Sequence, residues 1–192
     1  MSNHQSRKKP TRAPKKQVLI VCNGKMTEPS YFRKFKPGLV HVQFINASPL
    51  NLVKQAALYR NKREKQQGWN FDQCWCVFDK DDFTSQDFNQ AVCTQDVRIA
   101  YSNEAFELWF LLHYDYVNTA ISRHQYIKIL NRKLDREYKK NDEAMFHVLR
   151  DKLDTAITNA KRLHDLYEKQ TQPADRNPCT TVYKLVEILI KN

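Results

Sequence analysis

Trp75-Cys76-Val77-Phe78-Asp79-Lys80-Asp81-Asp82-Phe83 decides how the chain is read. An apolar, β-prone run stops and three carboxylates follow at once. In an extended backbone alternate side chains point the same way, so Asp79 and Asp81 are expected to aim at one point. Two carboxylates that close repel unless a cation sits between them, and a hard, oxygen-seeking ion such as Mg²⁺ suits the pair. The plainer reading has Asp79 ending a strand and Asp81 or Asp82 starting a turn or capping a helix. Position favours the ligand reading, because open α/β sheets bind ligands beyond the carboxyl ends of their strands.

Working back from this stretch, Val18-Leu19-Ile20-Val21-Cys22 is a continuous apolar run, as expected of a strand buried on both faces. Asn23-Gly24 breaks it. Pro29 suits the first turn of a following helix, with Thr27 or Glu28 as its cap and Tyr31, Phe32 and Phe35 as its apolar face. Val40 to Ile45 reads as a second strand. Leu50 to about Gln67 reads as a helix stopped by Gly68, and Phe71 to Phe78 contains the third strand. A helix from about Ser85 to Cys93 and a strand from Val97 to Tyr101 follow. This alternation predicts an α/β fold, a small, mainly parallel sheet flanked by helices. Right-handed crossovers would bring Asn23, Gly24 and Glu28 toward Asp79 and Asp81.

Beyond Ser102 or Asn103, which would cap a helix through about Tyr114, the pattern is helical. Phe146, Leu149, Leu153, Ala156, Ala160, Leu163 and Tyr167 are spaced by three and four, predicting one long helix packed on a neighbour such as Ser122 to Leu134. Asp135 to Asp142 reads as a mobile, charged connection and Gln170 to Pro178 as a loop. Thr180 or Thr181 then starts a terminal helix. Three regions are expected: a basic, disordered tail over 1–16, an α/β core over 17–115, and a helical region over 116–192 packed on it.

Composition limits the functions open to the chain. Its 192 residues are 41% hydrophobic, enough for a real core, and only 3 glycines argue against a turn-rich barrel or sandwich. The apolar run Phe106 to Leu112 contains Glu107 and is too short to span a bilayer. A polar N-terminus without a signal-type segment, and 5 cysteines without a C-x-x-C pair, suggest buried thiols in a cytoplasmic protein. Of the net charge of +11, Arg7, Lys8, Lys9, Arg12, Lys15 and Lys16 supply six, unopposed by any acid up to residue 16. A basic tail on a basic body attracts nucleic acid; the competing reading is a solubilising tail.

Two further sites carry chemistry. The turn Asn23 to Glu28 would offer backbone N–H groups and a helix dipole to an anion, with Lys25 adding charge. It lacks the second glycine and the G-K-[ST] ending of a P-loop. Glu28 could ligate a metal, act as a base or cap the helix. Glu107 lies in a segment apolar nearly all round, with Glu104 one turn earlier. It would bind a cation, have a raised pKa, or form a buried ion pair with an Arg or Lys. His113 reads as a satisfied core histidine, and His147 and His164 as structural.

Four blocks, Val21 to Phe32, Trp75 to Asp81, Tyr101 to Trp109 and Asn177 to Leu185, together resemble the RloB-like family, found with bacterial restriction and phage-defence loci. The resemblance runs from about residue 17 to the end. It implies a variant of the Toprim fold of topoisomerases, DnaG-type primases and OLD-family nucleases, with Mg²⁺ (or Mn²⁺) held by acidic side chains and a partner ATPase encoded nearby. It carries the metal-binding D-x-D to Asp79 and Asp81, T-E-P to Thr27-Glu28-Pro29, and F-E-L-W to Phe106-Glu107-Leu108-Trp109. One departure stands out: family members usually read E-G where this chain has Asn23-Gly24. An Asn can offer a carbonyl oxygen to a metal but cannot take up a proton. Metal ligands are therefore expected among Asp79, Asp81, Glu28 and Asn23, and catalytic groups among Asp79, Asp81, Glu28 and Glu107. Lys25, Lys80 and the basic tail are expected to hold DNA or RNA. The resemblance implies a Mg²⁺-dependent nuclease in anti-phage defence; Asn23 leaves open a catalytically inert binding or sensor subunit, and a tail-mediated binder with purely structural acids is a third possibility.

Overall fold

The computed structural model describes residues 16–167 and 172–191. Arg7, Lys8, Lys9, Arg12 and Lys15 lie outside the described residues, and Lys16 is exposed at their edge. The expected alternation is present. Strand β1 (Val18–Cys22) is followed by α1 (Thr27–Phe32), β2 (Val40–Phe44), α2 (Pro49–Gln67), β3 (Gln73–Asp79), α3 (Ser85–Val92) and β4 (Arg98–Asn103). The sheet order is β2-β1-β3-β4-β5, parallel except for β5 (Cys179–Thr180), which runs antiparallel to β4.

The apolar runs become strands because the sheet is covered on both faces. Val18, Ile20, Cys22, Trp75 and Val77 face one core; Leu19, Val21, Cys74, Cys76 and Phe78 face the other. The second face is closed by Leu52, Val53 and Ala56 of α2 and by Phe88 and Ala91 of α3. Gly68 stops α2 at φ +67, the left-handed conformation that a helix C-terminus favours in glycine. The first face is closed by α1, α4 (Glu107–Leu111), α5 (Arg123–Leu134), α6 (Met145–Leu149), α7 (Leu153–Tyr167) and α8 (Val182–Lys191). No helix among the described residues is long and apolar enough to cross a membrane.

Several expectations are corrected. The helix after β4 does not begin at Ser102 or Asn103: those residues still belong to β4, and α4 spans only Glu107–Leu111. Glu104 therefore lies outside the helix; its carboxylate accepts the Arg123 N–H at 2.8 Å. The single helix expected over 146–167 is interrupted by a 3₁₀ turn at Arg150–Lys152, three exposed polar residues between the seam positions Leu149 and Leu153. Helix α7 packs mainly on β5, α8 and α4, while α5 packs on α4. Thr180 belongs to β5, a strand of two residues, too short to leave a periodic signature. It is pinned by its neighbour: Tyr101 N–H donates to Thr181 Oγ1 at 2.9 Å, and Thr181 N–H to the Tyr101 carbonyl at 2.8 Å. All five cysteines are free thiols; four are buried and Cys93 is exposed.

Candidate functional site

Strands β1 and β3 are adjacent and parallel, with Cys22 opposite Val77, so their carboxyl ends open side by side. The chain leaves β1 through Asn23, whose N–H continues the ladder to the Val77 carbonyl at 2.9 Å. Its side-chain amide donates to the Ala47 carbonyl, directing the Asn23 nitrogen toward the α2 side. Glu28, in the first turn of α1, is only 5% exposed, and its carboxyl folds back over Gly24. A Cβ at position 24 would overlap that carboxyl group, so any larger residue here must displace the Glu28 side chain. The carboxyl thereby occupies the turn expected to receive an external anion. Burial raises its pKa to about 7; the Glu107 charge adds to the rise, and Lys140 opposes it.

Asp79 is the last residue of β3. Its Oδ2 accepts the Phe106 N–H at 3.0 Å, whereas Oδ1 is shielded from solvent and has no hydrogen-bond partner. Burial holds this carboxyl well above the ordinary range, and Glu28, Glu107 and Asp81 push it the same way. The strand does not continue to Asp81: that residue turns at φ +40, so the alternation expected to align Asp79 with Asp81 is broken. Asp81 lines the cavity but ion-pairs with Arg123, which also holds Asp82 at 2.8 Å. Lys80 turns its amino group onto the Phe83 carbonyl, while Lys25 is exposed at the cavity.

Glu107 is 4% exposed and takes a hydrogen bond on Oε1 from the Tyr138 hydroxyl at 3.1 Å. The buried partner is thus a phenol rather than the Arg or Lys expected for an ion pair. The 135–142 segment, expected to be a mobile connection, folds over the site. Tyr138 is buried, its N–H bonds Asn131 Oδ1 at 2.7 Å, and the Lys140 carbonyl accepts from Thr27 Oγ1 at 3.2 Å. The result is a cavity of about 170 Å³ whose walls include Gly24, Glu28, Asp79, Asp81, Glu107 and Lys140. Its acids come from three separate parts of the chain. Tyr138, Lys140 and Arg123 were not singled out from sequence; an aromatic inside the charged run Asp135 to Asp142 was the available signal that the segment is anchored. His113 is a core histidine, its Nδ1 2.9 Å from the Trp109 carbonyl and its pKa pushed down to about 4 by burial.

Buried carboxylates of like sign, one with a shielded oxygen that nothing satisfies, fit a hard divalent cation in kind. They are not drawn into a closed ligand set: among the described residues no three His, Cys, Asp or Glu side chains are grouped to hold a metal ion. The family model described as RloB-like protein matches residues 18–189, spanning every element from β1 into α8. The chain belongs to the RloB-like family. No curated protein and no solved structure matches it. All four blocks that suggested the RloB-like resemblance lie within the matched span, and three of them contribute walls to the cavity.

Proposed function

We propose that this RloB-like protein is a Mg²⁺-dependent nuclease of Toprim type, acting on DNA or RNA in anti-phage defence. The observation that carries the proposal is the convergence of Glu28, Asp79 and Glu107 on one cavity at the carboxyl ends of β1 and β3, with Asp79 Oδ1 unpartnered. Asp79 and Glu107 would hold the cation, with Asp81 joining if Arg123 releases it. Bound there, Mg²⁺ (or Mn²⁺) would stabilise negative charge on a phosphodiester and favour ionisation of water. Glu28, with a pKa of about 7, is suited to accept a proton from that water at neutral pH. Lys25 and Lys140 at the cavity, and the basic N-terminal residues, would attract the nucleic-acid backbone. A partner ATPase would work with the chain, and the cytoplasm would be its compartment.

Asp79→Asn, which keeps the side-chain shape, should abolish Mg²⁺- and Mn²⁺-dependent cleavage of single- and double-stranded DNA and RNA while the circular-dichroism melt stays cooperative. Undiminished cleavage would overturn the proposal. A second reading, an inert binding or sensor subunit, is favoured by Asn23, which puts an amide bound to the Ala47 carbonyl at the end of β1, where the family resemblance implies a carboxylate. It predicts no metal-dependent cleavage by the natural chain, and Asn23→Glu producing cleavage would identify the site as degenerate.

A further inference from the structure

A second, larger cavity of about 610 Å³ lies beside the amino-terminal half of β4 and shares no wall residue with the carboxylate cavity. Strand register separates the two. Arg98 pairs with Trp75, and Ser102 with Asp79, so the cavities are offset by four residues, roughly 13 Å along the sheet. The second cavity has no acidic wall among the described residues. Its charged groups are Arg98, Arg176 and Lys184, with the buried His164 beside them. Arg98 and Lys184 are exposed, and neither pairs with a carboxylate among the described residues. Lys184 Nζ stands 3.5 Å from His164 Nε2, and the Arg98 guanidinium lies over the Trp75 ring at 5.7 Å.

The sheet edge adds a donor. β5 covers β4 only at Ser102 and Asn103, and Tyr101 spends its outward N–H and C=O on Thr181. In an extended strand these outward groups recur every second residue, so the N–H of Ile99 faces the same edge, where no strand lies opposite. The exposed cations Arg98 and Lys184 and an outward amide, with no acid beside them among the described residues, select an anion. Their like charge disfavours a divalent metal or an organic cation. Guanidinium groups match phosphate oxygens in particular. The volume falls in the range of roughly 300–1,000 Å³ that holds a small molecule.

We propose that this cavity is a binding site for a phosphate-bearing small molecule of nucleotide size, separate from the carboxylate site and independent of whether the chain cleaves nucleic acid. Arg98 and Lys184 hold the phosphates, and the mixed wall of Val97, Ile99 and Thr181 receives the remainder. The test is isothermal calorimetry on the full chain in chelator, so that no metal can recruit phosphates to the acidic cavity. AMP, ATP, inorganic phosphate and a short single-stranded oligonucleotide are compared. A nucleotide or phosphate should bind, and Arg98→Ala or Lys184→Ala should each weaken it about tenfold or more, as expected for loss of one charge-assisted hydrogen bond. Both side chains are exposed, and Arg98→Glu serves as a second variant that must abolish binding. ATP or AMP should bind more tightly than inorganic phosphate, and equal binding would overturn the nucleotide size of the ligand. The proposal is overturned if no small anion binds, if the variants bind as the natural chain does, or if only the oligonucleotide binds and loses affinity in the variants. That last result would make the cavity part of a nucleic-acid path.

Discussion

Replacing Glu28 by Gln removes one charge from the buried acid cluster while keeping the shape that fills the space over Gly24. The stability consequence can be worked from the raised pKa. The Glu28 carboxyl moves from 4.5 to about 7 on folding, with Asp79, Glu107 and Lys140 as the charged groups interacting with it. A group whose pKa rises on folding binds its proton more tightly in the folded state. Its contribution is fully present below pH 4.5 and is lost as pH climbs through about 7. A shift of this size corresponds to about 3 kcal/mol. In chelator, Glu28→Gln should therefore melt with the natural chain at pH 4. At pH 8 it should be more stable by about 3 kcal/mol, roughly 6–12 °C in Tm for a chain of this size. Circular-dichroism melts from pH 4 to 8 measure the difference, in which distant carboxylates cancel. Mg²⁺ at pH 8 should raise the Tm of the natural chain and have much less effect on the variant. A difference that stays flat across the pH range would refute the placement of Glu28 in a charged, desolvated cluster.

Gly24→Ala should push the Glu28 carboxyl out of its seat; loss of the Mg²⁺-induced rise in Tm, in a protein that still folds, is the expected readout. Tyr138→Phe leaves the buried Glu107 without its hydroxyl donor, so chemical denaturation should report a loss of about 1.5–3 kcal/mol. Arg123→Ala breaks ion pairs whose partners are substantially exposed, and should cost under about 1 kcal/mol. The same change releases Asp81 and Asp82, and titration should show tighter Mn²⁺ binding; unchanged affinity would mean that Asp81 takes no part in holding a cation.

The parallel sheet was legible because Val18 to Cys22 and Cys74 to Phe78 are buried on both faces and carry no competing pattern. The meeting of Glu28 with Asp79 was legible for a related reason, since right-handed crossovers leave few ways to arrange neighbouring parallel strands. Elements defined by tertiary contact were not legible. β5 is two residues long and exists because Thr181 satisfies Tyr101, eighty positions away in sequence. The D-x-D spacing implied an extended Asp81, but a turn at φ +40 and an arginine 42 residues away redirected it. Asp135 to Asp142 looked solvated because its composition is charged, yet one buried phenol holds it against Glu107. Local sequence carries periodicity and turn chemistry; it does not carry which distant donor a buried carboxylate will find.

The late position of β5 and α8 also bears on when the molecule can become competent. Val182, Leu185, Val186 and Leu189 complete the same core that receives Val18, Ile20 and Val77, and Thr181 closes the β4 edge. A chain emerging from the ribosome has delivered every wall residue of the carboxylate cavity by Lys140, but this face of the sheet, covered by then only by α1, α4 and α5, is not fully closed until α6, α7 and α8 have followed. Assembly of the acid cluster is thereby tied to the arrival of β5 and α8, so that a fragment bearing every one of those acids but lacking these two elements would lack part of the packing that holds them together.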